Sequence, residues 1–137
     1  MLRLVSGATV ATALVVVLVG CEAEPSRVKG RLLENGKPVA VPAAGSPQVI
    51  VFESMSPDGA TSTGRMYSAM LSTDGTFELI ASGGSVPPGN YRVSFDVTLP
   101  GKDGDKFKGF RRDNSPIRRE LKPGSNDLTI DLASPEK

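Results

Sequence analysis

The sequence predicts an all-β fold: a single antiparallel β-sandwich of about seven short strands, placed after an N-terminal signal helix. Three observations lead there. Apolar and polar residues alternate over several short windows, as they do on strands with one buried face. Turn-forming pairs separate those windows, among them Asn35-Gly36, Asp74-Gly75 and Pro123-Gly124. Beyond the leader, no window of useful length carries a helical period.

Val28, Gly30 and Leu32 share one parity and Arg27, Lys29 and Arg31 the other, which predicts a half-buried strand. Asn35-Gly36 tolerates the positive backbone dihedrals of a tight turn, so the chain reverses there. Pro38-Val39-Ala40-Val41-Pro42 follows as a poor edge segment, since its prolines cannot donate to a ladder. Val49-Ile50-Val51-Phe52 is apolar on both faces and reads as a strand in the middle of a packed core. Residues 54–64 are small and polar, a loop that turns at Pro57-Asp58-Gly59. Tyr67, Ala69 and Leu71 alternate with Ser68, Met70 and Ser72; Asp74-Gly75 then closes a second hairpin, and residues 76–81 return from it.

The cleanest alternation comes next. Tyr91, Val93, Phe95 and Val97 face one way, and Arg92, Ser94, Asp96 and Thr98 the other. Residues 100–105 read as a glycine-rich loop. Residues 116–121 pair weakly at an edge, with Arg119 interrupting the apolar face of Ile117 and Leu121. Leu128, Ile130 and Leu132 form the last strand, and residues 134–137 a frayed end.

The leader supplies an address. Arg3 gives one positive charge, and residues 4–19 then carry none while being rich in Leu, Val and Ala. A basic start, an apolar core and small residues before the cut mark a secretory signal peptide over residues 1–20. The apolar run is diluted by Ser6, Gly7, Thr9 and Thr12 and is shorter than the roughly 20 residues that span a bilayer. Leu18-Val19-Gly20-Cys21 resembles the bacterial lipobox, which implies cleavage between Gly20 and Cys21 and acyl chains on the Cys21 sulfur and amino group. One acyl chain binds a membrane marginally, whereas two or more hold it stably. In lipoproteins of this type an aspartate after the cysteine often signals inner-membrane retention; Glu22 stands here, which favours the outer membrane. Residues 21–26 then form the lipidated cysteine and a short tether. Five extended residues reach about 17 Å at most, so the folded body over residues 27–133 is held close to the bilayer.

Composition narrows the chemistry. Of 16 basic and 15 acidic residues in the chain, only Arg3 lies in the leader, so the mature chain is formally neutral. That balance gives no reason to expect a nucleic-acid partner. The chain's one cysteine is assigned to lipid, which leaves no internal disulfide. Histidine is absent, removing the commonest general base and the commonest metal ligand together.

Several segments carry a family resemblance. Val28-Lys29-Gly30-Arg31 with Asn35-Gly36-Lys37-Pro38-Val39, then Thr73-Asp74-Gly75-Thr76-Phe77, then Pro88-Gly89-Asn90-Tyr91-Arg92-Val93, resemble the carboxypeptidase regulatory-like, transthyretin-like β-sandwich domain. The tail from Ser115-Pro116-Ile117 through Lys122-Pro123-Gly124-Ser125-Asn126-Asp127-Leu128 is similar to the ending of small bacterial lipoproteins bearing that domain. The resemblance implies an Ig-like module for adhesion, assembly or support of neighbouring proteins. It does not imply peptidase activity, because such domains accompany a catalytic one. Transthyretin-like hydrolases use histidines and a Tyr-Arg-Gly-Ser ending, and this chain has neither. Gly75 and Gly89 suit backbone positions that side chains disfavour, and the Tyr91 hydroxyl needs a partner at the start of a core strand.

Candidate chemistry is sparse. Asp103-Gly104-Asp105 could open a calcium loop, but Lys102, Lys106 and Lys108 intrude where further oxygen ligands would stand, so a solvated turn is the favoured reading and no metal or cofactor is expected. Residues 102–122 hold eight basic residues against four acidic ones. Within them Lys106, Lys108, Arg111, Arg112, Arg118 and Arg119 are candidates for an anionic-surface patch facing lipid headgroups or cell-wall polymers. The competing reading is edge-strand charge that blocks sheet-to-sheet aggregation. Glu53, Asp58, Glu78 and Asp96 are the available carboxylates, with no nucleophile or phosphate-binding motif beside them, so no catalytic residue is assigned and no enzyme is expected. The expected function is a lipid-anchored, non-catalytic envelope module working as a structural element or through an envelope protein partner, and the alternative is a carbohydrate- or peptide-binding module with Phe107 and Phe110 as its aromatic platform.

Overall fold

The computed structural model describes residues 26–43, 45–80 and 86–136. The expected signal helix, the cut between Gly20 and Cys21, lipidation of Cys21 and most of the tether lie outside the described residues. Among the described residues eight strands run in chain order: β1 (Ser26–Glu34), β2 (Lys37–Pro38), β3 (Val49–Met55), β4 (Ser62–Met70), β5 (Thr76–Leu79), β6 (Gly89–Asp96), β7 (Arg118–Leu121) and β8 (Gly124–Asp131). They form two four-stranded sheets packed as an all-β sandwich. In the first sheet β1 is central. One of its edges carries β8, and the other carries β5 and then the two-residue β2. The second sheet has the order β4-β3-β6-β7.

The alternation read from the sequence is the alternation observed. Tyr91, Val93, Phe95 and Val97 are all buried, as are Val28 and Leu32. Ile50 and Phe52 of β3 face the core, where Phe52 meets Phe77 of the other sheet at 6.0 Å between ring centroids and Tyr91 at 6.4 Å. Each such side chain contributes roughly 1.5–3 kcal/mol by burial, so this cross-sheet cluster is the main source of cohesion. The Tyr91 hydroxyl finds its partner in the Pro87 carbonyl at 2.6 Å; burial, with Tyr67 nearby, pushes its pKa up to about 12. Asn35 and Gly36 both have positive φ (52° and 75°), as a tight hairpin requires. Gly75 has φ of 79°, and a Cβ there would meet the Val39 carbonyl oxygen at 2.4 Å.

Four expectations are corrected. The sandwich is not purely antiparallel: β1 and β8 pair in parallel over eight residues, Ser26↔Gly124 to Leu33↔Asp131. They are the first and last strands in chain order, so the chain between them serves as the long crossover that parallel pairing needs. The Asp74-Gly75 turn does not join two strands of one sheet. Only the bridge Leu71↔Phe77 links its arms, and the chain passes there from the second sheet to the first. β4 begins at Ser62, inside the stretch expected to be loop, because an exposed edge strand does not need alternating apolar residues. Residues 100–105 are not a plain loop: a five-residue helix, α1 (Gly101–Asp105), is followed by a 3-10 turn at Lys108–Phe110. Gly104 of α1 packs so closely on the Leu99 carbonyl that a Cβ would lie 2.0 Å from its oxygen. A helix of five residues is too short to show its period in sequence.

Candidate functional site

The candidate site is built on the outer face of the second sheet. Strand register aligns Met66, Glu53, Arg92 and Arg118 across β4, β3, β6 and β7 in one row, with Ser68, Val51 and Ser94 in the next. A charged residue amid the apolar β3 thus faces outward, opposite an arginine on the adjacent central strand. Yet Glu53 is buried, its side chain only 4% exposed. Residues 111–115 return over this face and cover it. Ser115 holds them down, its buried hydroxyl donating to the Val93 carbonyl. The same cover buries Ser94, which alternation alone would leave in solvent.

Both carboxylate oxygens of Glu53 are engaged. Arg92 Nε donates to Oε2 at 2.9 Å, and Ser62 Oγ donates to Oε1 at 2.5 Å. Arg112 Nη2 stands 3.9 Å from Oε1. Burial alone would raise the carboxyl, but the Ser62 hydroxyl and the Arg92 guanidinium outweigh it and hold its pKa below the ordinary value. Glu53 is therefore an ionised pin joining β3, β4, β6 and the covering segment.

Beside this network lies a cleft of about 300 Å³, floored by Val51, Met66 and Ser94 and rimmed by Asp96, Arg111 and Asp113. Apolar floor and charged rim suit a small polar ligand or a peptide side chain. A shallower depression of about 500 Å³ on the first sheet is lined by Lys29 and Glu78, which satisfy each other at 3.6 Å, and carries no buried charge.

The six candidate patch residues have differing surroundings. Lys106 and Lys108 pair with Asp103 and Asp105, at 3.5 and 2.6 Å, around α1. Arg111 and Arg112 sit at the cleft and the Glu53 network. On the edge strand β7, Arg118 donates to the carbonyls of Ser115 and Ile117, and Arg119 reaches the Pro135 carbonyl at 3.0 Å. Burial lowers the Arg119 pKa. Phe107 and Phe110 do not form an exposed platform. Phe107 is buried, with its ring 5.4 Å from Phe95, and Phe110 meets Phe95 edge-on at 6.4 Å, because core packing takes both rings. Asp103 and Asp105 lie in α1, and among the described residues no group of three His, Cys, Asp or Glu side chains could hold a metal ion. No helix among the described residues is long and apolar enough to cross a membrane.

Sequence reasoning missed the role of Glu53. Its signal was present: a lone acid in Val49-Ile50-Val51-Phe52-Glu53 and Arg92 within the cleanest alternating strand, both on the outward parity. Comparison with protein-family models, with curated proteins and with solved structures returns no match.

Proposed function

We propose that this chain is a lipid-anchored β-sandwich of the bacterial cell envelope, of the small lipoprotein type with a transthyretin-like domain, acting by contact with an envelope protein rather than by catalysis. The observation that supports it is the short distance between Cys21 and the first strand. β1 begins at Ser26, whose backbone N–H donates to Val86 at 2.8 Å and whose hydroxyl donates to the Lys122 carbonyl at 2.7 Å. The first described strand thus begins five residues after the cysteine that closes an apolar leader. A body so tethered begins within about 17 Å of the membrane. Its partner comes to that surface, with the outer membrane slightly favoured as the location.

Cys21→Ala is expected to move the protein from the membrane to the soluble fraction, with mass spectrometry of the wild type finding an acylated Cys21 at the mature N-terminus. Unchanged fractionation, or an unmodified sulfur, sinks the reading. The cleft beside residues 111–113 favours a second reading, a carbohydrate- or peptide-binding module. Glycan and peptide arrays probed with the protein separate the two.

A further inference from the structure

Strand directions sort the molecule into two ends. At one end stand the start of β1, the start of β8 paired with it, and Val86, which bridges to Ser26. The ends of β5 and β7 are there too, through Val28↔Leu79 and Gly89↔Leu121. The opposite end carries the Asn35-Gly36 turn and α1. Ser26, the first residue of β1, stands at the first end.

Ile80 sits at that end, directly after Leu79. It is 72% exposed, the most exposed large hydrophobic side chain among the described residues. Leu79 and Val28 both point into the core, so alternation turns Ile80 and Arg27 to the same outer face in neighbouring positions. Lys122 stands at the same end, beside Ser26 on the inward parity of β1. It is exposed, and its carbonyl accepts the hydroxyl of Ser26. One row further in, Glu78 is paired with Lys29 and does not oppose these cations. Pro87, Pro123 and Ser125, exposed at the same end, carry no charge; the exposed acids there are Asp127, opposite Lys29 one row further in, and Glu120 and Asp58 on the side of the second sheet, opposite and beside Asn90.

We propose that this end of the sandwich docks on the phospholipid surface, with Ile80 in the headgroup layer and Arg27 and Lys122 at lipid phosphates. The proposal rests on the lipid-anchor reading and deepens it by setting the orientation of the body. An exposed isoleucine with two flanking cations suits an interface whose outer layer is phosphate and whose inner layer is hydrocarbon. Alone such a contact is weak. A tether of four residues between Cys21 and β1 makes it intramolecular, so the effective concentration of the membrane is high and a weak contact suffices. Glu22 and Glu24 match the two cations in number, so docking does not require anionic lipid. The cleft on the second sheet then stands on the flank of an upright body, reachable by a partner.

The test uses the full acylated protein in phosphatidylcholine vesicles containing a headgroup-nitroxide lipid. Acylation blocks Cys21, so an introduced cysteine takes a fluorophore selectively. Ser125→Cys puts the label beside Arg27 while keeping Ile80, and Lys102→Cys puts it in α1. Expected is strong quenching and a blue shift at position 125, neither at position 102, and loss of both at position 125 when Ile80→Asp is added. If labels at 125 and 102 are quenched equally in protein that floats with the vesicles, docking is overturned while the anchor stands. Quenching at 125 that survives Ile80→Asp also overturns it. Protein that fails to float overturns the anchor reading, and docking with it.

Discussion

Glu53 shows how much one side chain's neighbours decide. Its carboxylate accepts from Ser62 and Arg92 and faces Arg112, and removing its charge leaves Arg92 without an ionic partner in a mostly covered site. Glu53→Gln is expected to lower stability by about 2 kcal/mol, read from urea unfolding at neutral pH. The pH dependence has a definite sign. Because the folded pKa lies below the ordinary 4.5, the stabilisation is fully present above about pH 4.5 and is lost as pH falls through the folded value. Asp58, Asp74 and Asp131 are also lowered, by hydrogen bonds from Ser56, from Thr76 and from the backbone of Ala133 and Gly36. Stability of the wild type should therefore fall with acid, and less steeply in the glutamine variant; equal slopes would remove Glu53 from the account. The outward parity of Glu53 and Arg92 was legible in the chain. The burial of Glu53 was not, because the segment carrying Arg112, which approaches it, lies about twenty residues beyond Arg92.

At the scale of elements, turns were the most legible features, since their chemistry is local. Gly36 and Gly75 both have positive φ, yet they answer to different surroundings. A Cβ at Gly36 meets nothing within 4 Å, whereas at Gly75 it meets the Val39 carbonyl. Gly36→Ala is expected to cost about 1 kcal/mol, the strain of the left-handed region alone. Gly75→Ala should cost about 3 kcal/mol, since the backbone must also shift. Similar melting temperatures for the two variants would contradict the packing at the sheet-to-sheet passage. That passage explains why the second hairpin was misread. A Thr73-Asp74-Gly75 turn looks the same whether its arms stay in one sheet or part into two. The short helix α1 escaped notice for another reason, its length.

At the scale of the whole molecule, the closing strand holds the sandwich together. β8 supplies Ile130 to the core, covers one edge of β1 from Ser26 to Leu33, and brings Asn126, whose amide donates to Lys122 and Gly124 and accepts from Lys122 N–H. Truncation after Pro123 also removes Leu132. Two large buried side chains at roughly 1.5–3 kcal/mol each, with the ladder they bring, rival a total stability of about 5–15 kcal/mol. The truncated protein is expected to lose its cooperative unfolding transition; a retained sharp thermal transition would show that the remaining strands suffice. Read alone, the chain determined most strands and their inward faces, the Asn35-Gly36 turn and the all-β class, because each depends on residues within a few positions of one another. The tertiary structure alone decided that the first and last strands pair in parallel, that residues 71–77 cross between sheets, and that residues 111–115 bury Glu53 and Ser94. Those outcomes depend on which edges and faces remain open after the other strands have paired, and no local pattern encodes that.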